Sequence, residues 1–298
     1  MKNVAVLMGG RSREREVSLR SGAAVADALE QAGFRVSRVV LERDCLEGLP
    51  EGVEAVFVAL HGGYGENGGV QADLDALRVP YTGPGAAASR VAMDKAATKR
   101  LLDAAGIPTP AWEVLPRGVE VTGLPLPVVV KPPRDGSSMG ISMVSEAWQW
   151  GRALGSAREV DAEGEALVEA YVPGREWTVG LVGGEPLPVV EVCAPGGWYG
   201  FAEKYTPGAT RYLFPTSGAD AGLAVRCQGL AVGVFEALGC RGMGRVDFRV
   251  TPEGAPFVLE INTVPGFTET SLLPKAAARS GETFAALCVR VLGLAAYG

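Results

Sequence analysis

The sequence predicts an α/β fold with a parallel sheet in its first third and an antiparallel α+β fold beyond it. Up to about residue 85, short apolar runs alternate with segments whose apolar residues recur at helical spacing, which is typical of a parallel sheet covered by helices. From about residue 127, apolar runs follow one another across short turns, which is typical of antiparallel sheets. The chain has 298 residues, enough for two or three structural units.

The N-terminal unit is predicted to contain three strands and two helices. The strands are expected at Val4–Met8, Val36–Leu41 and Ala55–Leu60. The first helix, Val17–Ala32, ends at Gly33, a residue type that often follows a helix end. The second helix carries Val70, Leu74 and Leu77 on one face. Because α/β sheets bind ligands at the carboxyl ends of their strands, we expect function in the loops there.

The remainder of the chain is predicted to form two further subdomains. Asp94 is a suitable N-cap for a helix that runs to Ala105. Strands at Pro127–Lys131 and Ile141–Val144 flank a glycine- and serine-rich loop, and later runs form hairpins. The segment 194–218 has no periodicity and is expected to be a mobile loop over a site. The predicted subdomains are residues 1–84, 85–168 and 169–298.

Composition and charge exclude several classes of protein. Lys and Arg total 28 and Asp and Glu total 34, a net charge of −6, and no basic run offers a surface for nucleic acid. The apolar runs are far shorter than the roughly 20 residues that cross a bilayer, so no membrane partner is expected. The five cysteines form no C-x-x-C pair, which indicates reduced thiols and a cytoplasmic protein.

Two features near residue 60 indicate no specific chemistry on their own. Gly63–Gly68 satisfies G-x-G-x-x-G, but the acidic residue that a dinucleotide site needs about 20 residues later is missing. A NAD-dependent oxidoreductase is therefore only a minor alternative. His61 is the single histidine, and neither a nucleophile elbow nor further zinc ligands accompany it. Taken alone, it is expected to be a hydrogen-bonded histidine that faces the cleft above the sheet.

A predicted hairpin near the C-terminus carries several oxygen-bearing side chains that could bind a metal ion. Apolar and polar side chains alternate on both sides of a turn at Thr251–Gly254. The strand period of two places Arg245 and Asp247 on one face of the first strand. Glu260 and Asn262 share a face of the second strand, beside the first pair. The apolar residues expected to pack beneath are Val246, Phe248, Phe257, Leu259 and Ile261. Two carboxylates and an amide oxygen suit Mg²⁺, although a solvated charged face has the same pattern.

A phosphate-binding loop is predicted farther upstream. Lys131 ends an apolar strand just before Asp135–Gly140, whose Gly-Ser-Ser run can fold its N–H groups around a phosphate. It is not a Walker A loop, since the chain contains no Gly-Lys dipeptide. Only six of the 28 cations are lysine, and each is a candidate because Arg cannot replace a compact ammonium at a phosphate.

In combination these residues resemble one known family, the D-alanine–D-alanine ligases of the ATP-grasp superfamily. The matching motifs follow in order from about residue 4 to about residue 292. They are Gly9-Gly10 with Glu14–Ser18, Leu60-His61-Gly62, Met93-Asp94-Lys95, Val130-Lys131-Pro132 with Gly136-Ser137-Ser138, Glu203-Lys204-Tyr205, Arg245-Val246-Asp247 and Glu260–Gly266. The resemblance implies an ATP-grasp fold with a Rossmann-like N-terminal subdomain and ATP between the other two subdomains.

The resemblance also implies a reaction and a nucleotide site. One D-alanine carboxylate attacks the γ-phosphate of ATP, and the amine of a second D-alanine attacks the acyl phosphate. The implied ATP ligands are Lys95, Lys131, Ser138 and Lys204 at the phosphates, Glu169 at the adenine and Glu176 at the ribose. The implied Mg²⁺ ligands, for two ions that Mn²⁺ can replace, are Asp247, Glu260 and Asn262. The other lysines, Lys2, Lys99 and Lys275, are expected to be solvated.

The amino-acid site is implied in the same way. Glu14, positioned by Ser137 and Tyr205, would bind the first D-alanine, with His61 near its carboxylate. The implied oxyanion ligands are Arg245 and the N–H of Gly266, and the implied contacts of the second D-alanine are Ser271 and Leu272. Family members that accept D-lactate typically carry a histidine in the loop of Tyr205, so the tyrosine favours an amine. A D-lactate or D-serine ligase is the alternative. The resemblance also implies a homodimer, and a product used in peptidoglycan synthesis.

Overall fold

The computed structural model describes residues 2–136, 139–194 and 210–298, and the elements are numbered along those residues. The strands are β1 Asn3–Gly9, β2 Arg35–Leu41, β3 Ala55–Val58, β4 Trp112–Leu115, β5 Val128–Lys131, β6 Ser142–Val144, β7 Ala166–Ala170, β8 Arg175–Val182, β9 Glu185–Pro186, β10 Val190–Cys193, β11 Arg211–Leu213, β12 Met243–Val250 and β13 Pro256–Asn262. The helices are α1 Arg15–Gln31, α2 Gly69–Leu77, α3 Ala86–Met93, α4 Lys95–Ala104, α5 Trp150–Val160, α6 Ala219–Ala237, α7 Leu272–Arg279 and α8 Phe284–Gly293. Over the same residues, no helix combines the length and the apolar content that a bilayer crossing requires.

The N-terminal sheet is parallel, as predicted, with the strand order β2-β1-β3. Helix α1 packs closely on β1 because Gly22 has no side chain, and a Cβ there would lie 2.5 Å from the Cβ of Met8. Gly33 follows the helix with a φ of +88°, as its position in the sequence predicts. The turn after β1 and the residues after β3 therefore lie together at the carboxyl ends of these strands.

Two antiparallel sheets make up the rest of the described chain. The smaller has the order β4-β7-β5-β6, and the larger has the order β11-β10-β8-β12-β13, with β9 beside β8. Strand β7 runs across residue 168. Helices α3 and α4 share a core with the larger sheet, where Ala92 and Leu102 are buried with Val246 and Ile261. The subdomain limits at residues 84 and 168 stay a prediction.

The sequence patterns missed several elements, of which α6 is the longest. Its glycines, Gly222, Gly229 and Gly233, weaken helix propensity, so packing determines its conformation. The buried residues Ala224, Cys227, Ala231 and Val234 follow the helical spacing of 3, 4 and 3 residues, which could have revealed it. The expected loop at 194–218 is wrong at its end, because β11 pairs with β10 there. Residues 195–209 of that segment lie outside the described residues.

Close packing accounts for two of the three glycines of the G-x-G-x-x-G pattern, Gly65 and Gly68. Gly68 has a φ of +85°, and a Cβ there would lie 2.4 Å from the carbonyl oxygen of Ala86 on α3. A Cβ at Gly65 would lie 2.2 Å from the carbonyl oxygen of Leu60. Both glycines let two backbone segments approach each other, which requires no dinucleotide.

We expect Gly68→Ala to lower the free energy of unfolding by about 2–3 kcal/mol, because it adds a backbone clash to a left-handed backbone conformation. Gly48→Ala is the matched control, since Gly48 has a φ of +82° but a Cβ there would have no neighbouring atom within 4 Å. That control should lose only about 1 kcal/mol. Urea unfolding of both variants measures the difference, and equal losses would contradict the packing explanation.

Candidate active site

The face predicted on the C-terminal hairpin is present. Arg245 of β12 lies opposite Asn262 of β13, and Asp247 lies opposite Glu260. Arg245 donates from Nε and Nη2 to the two oxygens of Asp247, at 2.9 and 2.8 Å. The Asn262 amide donates to Oδ2 of Asp247 at 2.9 Å. The hairpin register therefore brings two carboxylates, an amide and a guanidinium together.

One detail of the predicted hairpin is wrong. The register shifts between Asp247 and Phe248, so Leu259 is the extra residue of a β-bulge. Val258 and Ile261 are both buried in the core beneath the hairpin, whereas Phe257 and Leu259 are only half-buried. Strict alternation cannot predict a bulge, because the extra residue reverses the faces on one side of it.

The neighbouring strand β8 supports this face. Its Thr178 donates from Oγ1 to Oδ1 of Asp247 at 2.6 Å. Thr178 lies directly opposite Asp247 in the β8–β12 pairing. Sequence reasoning missed this residue, because the pairing of β8 with β12 joins segments nearly 70 residues apart, and no local pattern indicates it.

Lys95 connects the predicted phosphate loop to the hairpin. Asp94 caps α4 as predicted, accepting from the N–H of Ala97 at 2.9 Å, and so fixes Lys95 at the first helical position. The Lys95 ammonium donates to the carbonyl oxygen of Asp135 at 2.5 Å. It also lies 3.5 Å from Oε2 of Glu260. A lysine, a loop carbonyl and a hairpin carboxylate thus meet at one point.

Lys131 and Glu169 lie in a buried ion-pair chain that also includes Lys99. Glu169 on β7 lies 2.8 Å from the Lys131 ammonium and 2.7 Å from that of Lys99. Lys99 also donates to Oγ1 of Thr109 at 2.5 Å. The side chain of Lys99 is completely buried, so the expectation that it is solvated is wrong. The sequence feature that indicates the burial of Lys99 is its spacing from Lys95, because residues four apart share a helix face.

Burial and neighbouring charges have opposite effects on the pKa values of Glu169 and Lys99 in this ion-pair chain. Burial alone would raise the pKa of the Glu169 carboxyl, but the ammonium groups of Lys131 and Lys99 lower the pKa below its usual value. Burial lowers the pKa of Lys99, and the attraction of Glu169 offsets this only in part. Glu169 is therefore held ionised between two lysines.

The other three lysines have different environments. Lys2 is exposed, as expected for a solvated lysine. Lys275 is half-buried, and its ammonium lies 5.1 Å from the ring centre of Tyr212, so full solvation is wrong for this residue. Lys204 lies outside the described residues, as do Ser137, Ser138 and Tyr205.

Most of the predicted site residues that the structure describes line one cavity of about 630 Å³. They are Glu14, His61, Lys95, Arg245, Glu260, Asn262, Gly266, Ser271 and Leu272. Arg20 and Glu66 also line it, although sequence reasoning did not select them. Lys131, Glu169 and Asp247 are not part of this lining. Glu176 is not part of it either, and its carboxylate lies 3.7 Å from Nη1 of Arg249 on β12.

Glu14 and Ser271 both line the cavity, and each lies against a glycine of a tight loop. Gly62 has a φ of +69°, and a Cβ there would lie 2.8 Å from Oε2 of Glu14, so the carboxylate lies directly against the Gly62 backbone. Ser271 precedes α7, and its Oγ accepts from the N–H of Thr268 at 3.1 Å. A Cβ at Gly266 would lie 3.3 Å from the same oxygen.

His61 faces the cavity, as predicted, but its ring already has partners. Nδ1 lies 2.9 Å from the carbonyl oxygen of Val264, and Nε2 lies 2.8 Å from Oγ of Ser21. The side chain is only 4% exposed. Its position near a substrate carboxylate stays a prediction, since both ring nitrogens contact the protein.

The donor set on the hairpin fits a hard divalent cation. Mg²⁺ usually takes one or two carboxylates, and water and phosphate oxygens complete its shell. Glu260 and Asp247 supply the carboxylates, and Asn262 adds an amide oxygen. Within the described parts of the chain, no three His, Cys, Asp or Glu side chains come together as a metal site. Two carboxylates and one amide would leave the other positions of such a cation to water or phosphate oxygens.

Comparisons with known proteins point to one family. The family model described as D-ala D-ala ligase C-terminus matches residues 101–293. A D-alanine–D-alanine ligase from Syntrophotalea carbinolica is 48% identical over 294 residues, which is 98% of this chain and 95% of that enzyme. The crystal structure of the D-alanine–D-alanine ligase from Bacillus anthracis complexed with ATP has a TM-score of 0.86 at 29% identity, over 99% of this chain and 97% of that one.

A ligase of different specificity has the same fold. The crystal structure of VanG D-Ala:D-Ser ligase from Enterococcus faecalis also has a TM-score of 0.86, at 28% identity, over 98% of this chain and 99% of that one. The ATP-grasp fold expected from the motifs is therefore present, and the chain belongs to the D-alanine–D-alanine ligase family.

Proposed function

We propose that this chain joins two D-alanines to D-alanyl-D-alanine, with ATP converted to ADP and phosphate. The observation that carries the proposal is the single cavity that Lys95 and Glu260 line together with Glu14, Arg245 and Gly266. A phosphate-binding lysine and a metal-binding carboxylate there adjoin groups suited to an amino acid. This arrangement supports phosphoryl transfer to an amino-acid carboxylate.

The phosphoryl step requires charge neutralisation around the triphosphate. We infer that Lys95 and Lys131 contact the phosphates, together with Ser138 and Lys204. Mg²⁺ on Asp247, Glu260 and Asn262, with Mn²⁺ as a substitute, neutralises phosphate charge when bound. The hydrogen bonds that hold Asp247 on the hairpin support this proposal, because preorganised charge requires little rearrangement during the reaction. Glu169 and Glu176 are proposed at the adenine and the ribose.

The ligation step needs an oriented amine and a stabilised oxyanion. In our proposal Glu14, with Ser137 and Tyr205, binds the ammonium of the first D-alanine. Arg245 and the N–H of Gly266 stabilise the negative charge that develops when the second amine attacks the carbonyl. His61 lies near the first carboxylate, and the second D-alanine contacts Ser271 and Leu272. Phosphate then leaves with one carboxylate oxygen.

Phosphate release from Mg-ATP across a panel of amino and hydroxy acids tests this function. We expect release with D-alanine, together with a product that has the mass of the dipeptide, and little release with L-alanine. Preferred use of D-serine or D-lactate as the second substrate would instead indicate the alternative ligase. An ester-forming enzyme should gain at low pH, where an amine is protonated and a hydroxyl is unaffected. Stabilisation by NADH but not by ATP would contradict the proposal.

The cellular role follows from the product. We propose that the dipeptide serves peptidoglycan precursor synthesis, which would place the enzyme in the cytoplasm, where ATP is available. A homodimer is also proposed, on the strength of the family resemblance. Light scattering of the purified protein measures the assembly, and a monomeric mass would contradict the homodimer.

A further inference from the structure

Ser21 has no part in the chemistry proposed above, yet it is fully buried beside the cavity. It lies on α1, with an exposed fraction of 0%. Its Oγ is 2.8 Å from Nε2 of His61 and accepts a hydrogen bond from the N–H of Phe267 at 3.1 Å. One hydroxyl thus connects the histidine that follows β3 to the turn after β13.

The partners of His61 determine where its proton lies. The carbonyl oxygen of Val264, 2.9 Å from Nδ1, can only accept, so Nδ1 carries the proton. A neutral ring then presents Nε2 as an acceptor, and the Ser21 hydroxyl donates to it while Oγ accepts from Phe267. Glu66 is the carboxylate near the ring, and at 3.9 Å from Nδ1 it is farther away than the carbonyl. Every donor in this network therefore has one acceptor.

The network holds a single turn from both sides. Val264 and Phe267 flank Gly266, and both are buried. The ring of Phe267 packs on Phe57 of β3, with ring centres 5.3 Å apart. Ser12 holds the other side of the histidine, because its Oγ donates to the backbone carbonyl of His61 at 2.5 Å. The turn that carries Gly266 is thus fixed to the N-terminal sheet.

We propose that Ser21 is a positioning residue that acts through His61. Ser21 donates to Nε2 of His61 and accepts from the N–H of Phe267, so it orients the ring whose Nδ1–H holds the carbonyl of Val264. Together they fix the turn 264–267 and the direction of the Gly266 N–H. The inference rests on the proposed function, in which that N–H faces the developing oxyanion. His61 then affects the substrate through this turn, with both ring nitrogens engaged.

The single histidine makes the first test unambiguous. In protein labelled with ¹⁵N-histidine, a long-range ¹H–¹⁵N correlation spectrum contains one pair of ring nitrogens, because His61 is the only histidine. We expect the pattern of a neutral ring protonated at Nδ1, recorded on the wild-type chain without substrates. A ring protonated at Nε2, or an averaged mixture of both forms, would overturn the inference.

Variants at two buried serines of α1 provide the second test. Ser21→Ala removes both hydrogen bonds of the hydroxyl, and we expect an Nε2 resonance shifted by the loss of its hydrogen-bond donor and a kcat lowered up to about 100-fold, with the KM for ATP within about twofold. Ser18→Ala is the matched control, since Ser18 is equally buried but bonds to Gly9 and Ala59 at 2.9 and 2.6 Å. It should keep the wild-type Nε2 resonance and a kcat within about twofold of wild type. Ser21→Thr retains the hydroxyl and should restore both the Nε2 resonance and kcat.

These outcomes separate the inference from the proposed function. Equal kcat values for Ser21→Ala and Ser18→Ala would overturn the positioning role, as would an unchanged Nε2 resonance in Ser21→Ala. If the wild-type chain makes no dipeptide, the proposed function fails before any variant is compared. The spectrum of the wild-type chain still decides the tautomer in that case.

Discussion

Glu260→Gln is expected to lower kcat/KM for dipeptide formation on the order of 10³-fold, because it removes a cavity-lining carboxylate of the proposed Mg²⁺ site. The substitution keeps the shape of the side chain, so the β12–β13 pairing should persist. The Glu260 carboxylate also lies 3.5 Å from the Lys95 ammonium, and the amide of the glutamine would weaken that contact. ADP release in the presence of D-alanine and Mg²⁺ measures the effect.

The control for this variant lies on the same hairpin. Glu253→Gln changes an exposed carboxylate in the turn between the two strands and should leave ADP release within about twofold of wild type. Lys131→Ala should lose activity to a similar extent as Glu260→Gln, since it removes a proposed phosphate ligand. Normal turnover by Glu260→Gln or by Lys131→Ala would mean that the nucleotide binds elsewhere.

Glu169→Gln is expected to destabilise the fold by about 3–5 kcal/mol, because it leaves two buried ammonium groups without a counter-charge. Lys99 is completely buried, so water cannot screen the repulsion between it and Lys131. Adding Lys99→Met to Glu169→Gln should recover part of the loss, since one uncompensated charge is removed. Urea unfolding at pH 7 measures all three proteins.

The control and the pH dependence separate this ion-pair chain from surface charges. Glu163→Gln removes an exposed partner of Arg134 and should lower the free energy of unfolding by less than about 1 kcal/mol.

The pKa of Glu169 is lowered in the folded state. The stabilisation that its carboxylate gives the fold is therefore complete above the unfolded pKa, near 4.5, and is lost as pH falls through the folded pKa. The loss of stability below about pH 4.5 should therefore be shallower in Glu169→Gln. An equally steep loss would contradict the ionised state of Glu169.

Local periodicity predicted the parts of the site that lie within one element or one hairpin. A strand period of two brought Arg245 and Asp247 to one face, and the cap at Asp94 indicated where Lys95 begins α4. The same reasoning failed at Leu259, because a bulge is set by the pairing of two strands. It also failed at Lys99, whose buried ammonium pairs with Glu169 of β7, a residue 70 positions farther along the chain.

Contacts between distant segments were beyond sequence reasoning. Ser21 and Phe267 are separated by 246 positions, and nothing in either local sequence indicates their hydrogen bond. The resemblance to the ligase family predicted the roles of His61 and Glu169 from motifs. Motifs do not contain the partners of these side chains, which are Val264 and Ser21 for His61, and two lysines for Glu169.

The transfer of one oxygen atom tests the central claim most directly, namely that this chain activates an amino-acid carboxylate with ATP. The wild-type protein is incubated with Mg-ATP and D-alanine labelled with ¹⁸O in the carboxylate, and the released phosphate is analysed by mass spectrometry. The carboxylate oxygen that attacks the γ-phosphate stays on that phosphate when its bond to the acyl carbon breaks. We therefore expect one phosphate containing one ¹⁸O atom for each dipeptide formed. Dipeptide accompanied by unlabelled phosphate would contradict the account.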